Sequence, residues 1–109
     1  MDGKDFLILA AETFEALEMR LDNLAVNYVD VLTEDSSMLL IVDGSVKPRL
    51  AADQHTMRIT ATVDESVTQF TFHEIEECWL DEESQVELYS WLGGHISSLL
   101  NETVDLRED

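Results

Sequence analysis

The chain has 109 residues, 45% of them apolar with two Trp, two Tyr and four Phe. That is enough to close one core without staples, and it excludes an acidic disordered tail. Twenty-four acids against six Lys and Arg give a formal net charge of −18, which excludes charge-driven binding to nucleic acid or anionic membranes.

A single domain over residues 1–109 is expected. One cysteine, Cys78, rules out an internal disulfide and suits a reducing compartment. No apolar run approaches the ~20 residues that span a bilayer. The acidic opening Met1-Asp2-Gly3-Lys4-Asp5 is unlike a signal or transit peptide, so secretion is not expected.

The first predicted element is an amphipathic helix over residues 5–24. Phe6, Ala10, Phe14, Leu17, Leu21 and Leu24 recur at steps of three and four, the period of one helix face. Glu12, Glu15, Glu18 and Asp22 recur in the same way on a flank beside that stripe. Residues 23–27 read as a turn. Residues 28–33, rich in β-branched and aromatic side chains, read as a first strand, and Glu34-Asp35-Ser36-Ser37 as the turn after it. The apolar run 38–42 reads as a central strand. Asp43-Gly44 is a hairpin signal, because that turn needs positive φ. The return strand 45–50 contains Pro48, which cannot donate to a ladder and is expected at an edge or at the strand's end.

A loop at 51–56 leads to Met57-Arg58-Ile59-Thr60-Ala61-Thr62-Val63. Strict alternation puts Met57, Ile59, Ala61 and Val63 on one face and Arg58, Thr60 and Thr62 on the other. Residues 67–72 follow with Phe70 and Phe72 inward, then an acidic turn at 73–77 and a short strand at 78–80. Ser84-Gln85-Val86-Glu87 has the capping-box spacing and opens the last helix, with Asp81, Glu82 and Glu83 at its start. Leu88, Leu92, Ile96 and Leu99 form that helix's stripe. Gly93-Gly94 in its middle would serve either a close crossing or a kink. The order is helix, five or six strands, helix. It implies an α+β two-layer sandwich with both helices on one face of an antiparallel sheet.

Two surfaces stand out. The acidic ridge on the first helix continues into Asp30, Glu34 and Asp35. Carboxylates are hard oxygen ligands for Fe²⁺, Mn²⁺, Ca²⁺ or Mg²⁺, and a helix surface without His or Cys would hold such ions weakly, with water completing the shell. A second acidic cluster, Glu74 to Glu77 with Asp81 to Glu83 and Glu87, reads mainly as turns and caps. The other surface is the sheet face away from the helices, where Arg58, Thr60, Thr62 and Gln69 point outward. Lys47 and Arg49 lie near them in sequence, so half of the six basic residues fall in this stretch. It is a candidate protein-binding face. His55, His73 and His95 are too scattered for a nucleophilic triad, and no phosphate loop or paired catalytic carboxylates can be drawn, so no defined active site is expected. Cys78 reads as a buried small apolar residue on a strand.

Taken in order, these pieces resemble the frataxin family. The resemblance is carried by Asp5-Phe6-x-x-Leu9-Ala10 with Leu17-Glu18-x-Arg20-Leu21-Asp22, by Met38-Leu39-Leu40-Ile41 before Asp43-Gly44, and by Phe70, Trp79 and Glu87-Leu88-x-x-Trp91-Leu92 to Thr103-Val104-Asp105-Leu106. Where the family has an Asn-Arg/Lys-Gln triplet this chain has Ala52-Asp53-Gln54, retaining Gln54 alone, and the next strand has no Trp. The resemblance implies weak Fe²⁺ binding on the ridge, other divalent cations remaining open. It also implies docking, with Gln54 on the partner-binding face, on a cysteine desulfurase and iron–sulfur scaffold protein. It implies a monomer in a mitochondrial matrix or bacterial cytoplasm, and leaves family-level iron oxidation open. The alternative from another class is a small acidic dimeric protein resembling secretion chaperones, which would bind a client protein.

Overall fold

A computed structural model describes residues 2–23, 29–34, 36–42, 44–100 and 106; the side chains at 23 and 45–47 lie outside that description. The elements run α1 (Gly3–Asn23), β1 (Val29–Glu34), β2 (Ser37–Val42), β3 (Ser45–Asp53), β4 (Arg58–Val63), β5 (Ser66–His73), β6 (Cys78–Asp81) and α2 (Leu88–Leu100). The six strands form one antiparallel sheet in sequence order, β1 to β6. The expected two-layer sandwich is the observed one.

The sheet's inner face is set by alternation. Met38, Leu40, Val42, Leu50, Ile59, Ala61, Phe70 and Trp79 are buried in one core with Phe6, Phe14, Leu17 and Leu21 of α1 and with Leu88, Leu92 and Ile96 of α2. Both helices therefore cover the same face. The predicted alternation in β4 holds, and Met57 and Phe72 also pack against the core. No helix of the described residues is long and apolar enough to cross a membrane.

Four local details differ from expectation. First, α1 begins at Gly3 rather than 5, because Asp2 caps it: the Asp5 N–H donates to Asp2 Oδ1 at 2.8 Å. Second, Pro48 is neither at an edge nor at a strand end. β3 runs on to Asp53 between β2 and β4, taking three residues expected in the loop. Leu39 pairs with Arg49 and Ile41 with Val46, so Lys47 and Pro48 together stand opposite Leu40. That is a β-bulge, one of the few interior places where a strand tolerates proline. The extra residue also shifts the pleat by one, so that Pro48 and Leu50 turn inward although Val46 pairs on the outer rung with Ile41.

Third, the start of α2 lies four residues past the expected cap. The Ser84 hydroxyl bonds Asp81 Oδ2 at 2.6 Å, and the Glu83 N–H donates to Asp81 Oδ1 at 3.0 Å, so Asp81 organises a turn rather than a helix start. The Ser84 hydroxyl and the Glu83 N–H hold the Asp81 carboxyl below its ordinary pKa. Glu87 is the true cap: its carboxylate accepts the Tyr89 N–H, and its carbonyl accepts from Trp91 at 2.9 Å. Leu80 bridges to Glu87, which covers part of the edge of β6. The acids 81–83 therefore precede the helix, whose first turn holds none. Fourth, the stripe is Leu88, Leu92, Ile96 and half-buried Leu100, and Leu99 is exposed. The helix runs unbroken through Gly93, which is buried, and Gly94, which faces open space.

One polar contact crosses the core. Thr13 is the only polar residue buried among those described. Its Oγ1 accepts the Trp79 indole N–H at 2.9 Å and donates to the Leu9 carbonyl at 2.8 Å. Phe6 and Phe72 meet the Trp79 ring edge-on, at centroid distances of 5.7 and 5.3 Å. At the other end of α1, Arg20 donates to the Leu106 carbonyl at 2.8 Å, and the Leu106 side chain is buried in the core.

Thr13→Val keeps the shape but strands the Trp79 N–H, and is expected to cost about 1–3 kcal/mol in urea unfolding. In a Trp79→Phe background the same change should cost close to nothing; additive costs would show that the hydrogen bond does not couple the two. Gly94→Ala adds a methyl where nothing lies within 4 Å and φ is not positive. It should stabilise by about 1 kcal/mol, a rise of roughly 4–8 °C in the thermal midpoint. A lower midpoint would mean that the helix needs the glycine.

Candidate functional site

The period of α1 that buries Phe6, Phe14, Leu17 and Leu21 leaves Glu12, Glu15 and Asp22 exposed and Glu18 half-buried. β1 lies at the sheet edge with Val29 and Val31 packed inward, so Asp30 and Glu34 are exposed on its outer side. The two elements are joined at the surface where the Thr33 hydroxyl donates to Glu18 Oε2 at 2.6 Å. The sequence-predicted ridge thus occupies an α1 flank and the neighbouring sheet edge. Asp35 lies outside the described residues. Among the described residues, no three His, Cys, Asp or Glu side chains come together closely enough to hold a metal ion. Isolated carboxylates of this kind offer an ion one or two ligands, the rest coming from water.

The open sheet face is built from rungs. Ala51, Thr60 and Gln69 lie across β3, β4 and β5 in one register, and Arg49, Thr62 and Val67 in the next. On the other side of that second rung Leu39 pairs with Leu32, which is exposed. The face is therefore mixed: hydroxyls and an amide at its centre, apolar side chains towards both edges, and one exposed guanidinium, Arg49. Arg58 is at the margin and pairs with Glu82 at 3.0 Å, so its charge is partly spent within the chain. The Lys47 side chain lies outside the described residues. Gln54 sits in the β3–β4 turn with its side chain against Gly3 at the start of α1, where a Cβ would come within 2.8 Å of it. The structure thus groups Thr60, Thr62, Gln69 and Arg49, and sets Gln54 apart from them.

The remaining titratable groups have structural settings. His95 lies against Trp91 with ring centroids 4.3 Å apart and the planes tilted by 48°, and burial lowers its pKa. His73 lies 3.5 Å from Glu76 within the β5–β6 turn. Cys78 is half-buried rather than buried and opens on a groove between α1, that turn and the start of α2. Burial, then the charges of Glu76 and Glu87, push its thiol pKa up, the opposite of an activated nucleophile. This groove does not show in the sequence, because α1 is far along the chain from the other segments that wall it. Nor does the sequence show the Arg20 guanidinium, which sits 4.2 Å above the Tyr89 ring.

The sequence matches no known family model and no curated protein. Its fold does find a match. The frataxin from Psychromonas ingrahamii, solved as a model for stability modulation within the CyaY protein family, is similar to this chain with a TM-score of 0.91. The match covers 99% of this chain and 100% of that one at 21% identity. The chain has the frataxin fold from end to end, and that likeness does not favour a secretion-chaperone reading.

Cys78 should react slowly with an aromatic disulfide at neutral pH, with a rate midpoint above that of a free thiol. Glu76→Gln removes a charge that opposes the thiolate and should lower the midpoint. A midpoint below that of a free thiol would contradict this electrostatic picture.

Proposed function

We propose that this chain is a divergent member of the frataxin family. It carries Fe²⁺ loosely on the α1–β1 ridge, docks on a cysteine desulfurase–scaffold complex, and modulates iron–sulfur cluster assembly. The observation that carries this reading is the end-to-end frataxin fold together with a carboxylate ridge joining α1 to the edge strand.

Iron is cargo in this reading. Glu12, Glu15, Glu18 and Asp22 on the helix and Asp30 and Glu34 on the strand supply hard oxygen ligands, with Asp35 a further candidate. Their dispersion suits an ion that must be given up to a partner. A net charge of −18 draws the chain towards a basic surface and speeds the encounter. The flat face of Thr60, Thr62, Gln69 and Arg49 then offers contacts that do not depend on charge alone, with Gln54, Arg58 and Lys47 at its surroundings. Sulfur chemistry belongs to the desulfurase. The chain acts as a monomer, in a bacterial cytoplasm or mitochondrial matrix where such a complex works.

Anaerobic Fe²⁺ titration followed by amide NMR, with Mg²⁺ as control, tests the ridge. Expected is iron-specific broadening at Glu12–Asp22, Asp30 and Glu34, reduced by the double change Glu15→Gln and Asp22→Asn. Desulfurase turnover on the scaffold should respond to the protein and lose that response with Thr60→Arg on the open face. Broadening spread equally over Glu74–Glu87, together with an unresponsive desulfurase, would defeat the proposal.

A further inference from the structure

The groove beside Cys78 encloses about 770 Å³, within the range of small-molecule sites. Three aromatic residues line it: Trp79, which is nearly buried, and Phe72 and Tyr89, which are half-buried. Glu12, Glu74 and Glu77 also line it and are exposed, so carboxylates stand at the mouth and rings lie deeper. Glu87 adds a half-buried carboxylate at the cap of α2. No Lys, Arg or His is among the described residues lining it.

Two observations set the ligand class. The carboxylates are dispersed: no three acidic, His or Cys side chains among the described residues gather closely enough for a metal ion. A compact ion would meet one or two of them, whereas a cation carried on an aliphatic stem meets several while laying its methylenes on the rings. The second observation is that one of these rings already holds a cation within the chain, the Arg20 guanidinium 4.2 Å from the Tyr89 centroid. Aromatic faces beside carboxylates are the usual surroundings of an organic cation.

We propose that this groove binds aliphatic ammonium groups, supplied by a free polyamine or by a lysine side chain, with Phe72, Trp79 and Tyr89 taking the stem and Glu12, Glu74 and Glu77 the charge. Such a site works independently of iron and shares only Glu12 with the ridge. Cys78 lines the same groove and reports on its occupancy.

Spermidine is titrated into the full chain at about 150 mM salt, where exposed charges are screened beyond roughly 8 Å. Amide shifts and the rate of Cys78 modification are read together. Expected are shifts centred on Phe72, Cys78, Trp79 and Tyr89, and protection of the thiol. The double change Glu12→Gln and Glu77→Gln should weaken binding several-fold, while the equal charge change Glu65→Gln with Glu83→Gln leaves it intact. A short lysine peptide with a blocked N-terminus and a free side-chain ammonium runs in parallel: tighter binding of spermidine assigns the groove to a free amine, and tighter binding of the peptide assigns it to a protein side chain. The proposal is overturned if neither binds, if Mg²⁺ at equal charge reproduces the effects, or if the two double variants lose binding equally.

Discussion

A buried indole has one N–H, and in this fold it must find an acceptor. Trp79 finds it in the Thr13 hydroxyl, which in turn donates its O–H to the Leu9 carbonyl one turn back. Left unmet, that donor would cost about 1–3 kcal/mol, a large share of a small domain's stability. The bond works only at one rotation and one height of α1 over the sheet. Fixing the helix in that setting brings Glu18 to Thr33 of β1, with Glu15 and Asp22 exposed on the same helix, and places Glu12 at the groove beside Trp79. Both candidate surfaces inherit their geometry from this contact, although neither uses Trp79's nitrogen.

The chain's charge is distributed by the same economy. Six basic residues cannot neutralise 24 acids, and among the described residues Arg20 and Arg58 also have structural work. Arg20 holds the Leu106 carbonyl and lies over Tyr89, and Arg58 pairs with Glu82. Arg49 is left exposed on the open face among hydroxyl and apolar neighbours. The molecule thus presents one face of mild polarity within a strongly negative surface. In the proposed function, long-range attraction and short-range recognition would fall to different parts of it: the acids to the encounter with a basic partner, and the flat sheet face to the fit.

The core and both layers were legible because burial on one face imposes a period. Met38-Leu40-Val42 and Ile59-Ala61 alternate as half-buried strands must, and Phe6 to Leu21 step as a helix face must. The ridge was legible for the same reason, as the complement of that stripe. What failed were choices between equally local options. Pro48 fits an edge or a bulge, and only the partner strand's register decides. Ser84 and Glu87 match a capping box, yet the Asp81 carboxylate lies nearer to the Ser84 hydroxyl and takes it into a turn. The helix then starts at Leu88, and after Ile96 its stripe steps by four to Leu100 rather than by three to Leu99. The motif that suggested Gln54 does not say where its side chain lies; the turn lays it against Gly3 at the start of α1, and its role in partner binding belongs to the proposal. The groove could not be read at all, since its aromatic and acidic walls meet only after the sheet has formed.

The anchor between Arg20 and Leu106 spans 86 positions and plugs a fully buried leucine into the core. Synthesis delivers the chain from its first helix onward. All six strands can therefore leave the ribosome while the core still lacks its last side chain and Arg20 still lacks its carbonyl. Cooperative closure of this domain waits for residue 106 to reach the core. Until then the end of the core that Leu106 fills stays open to water.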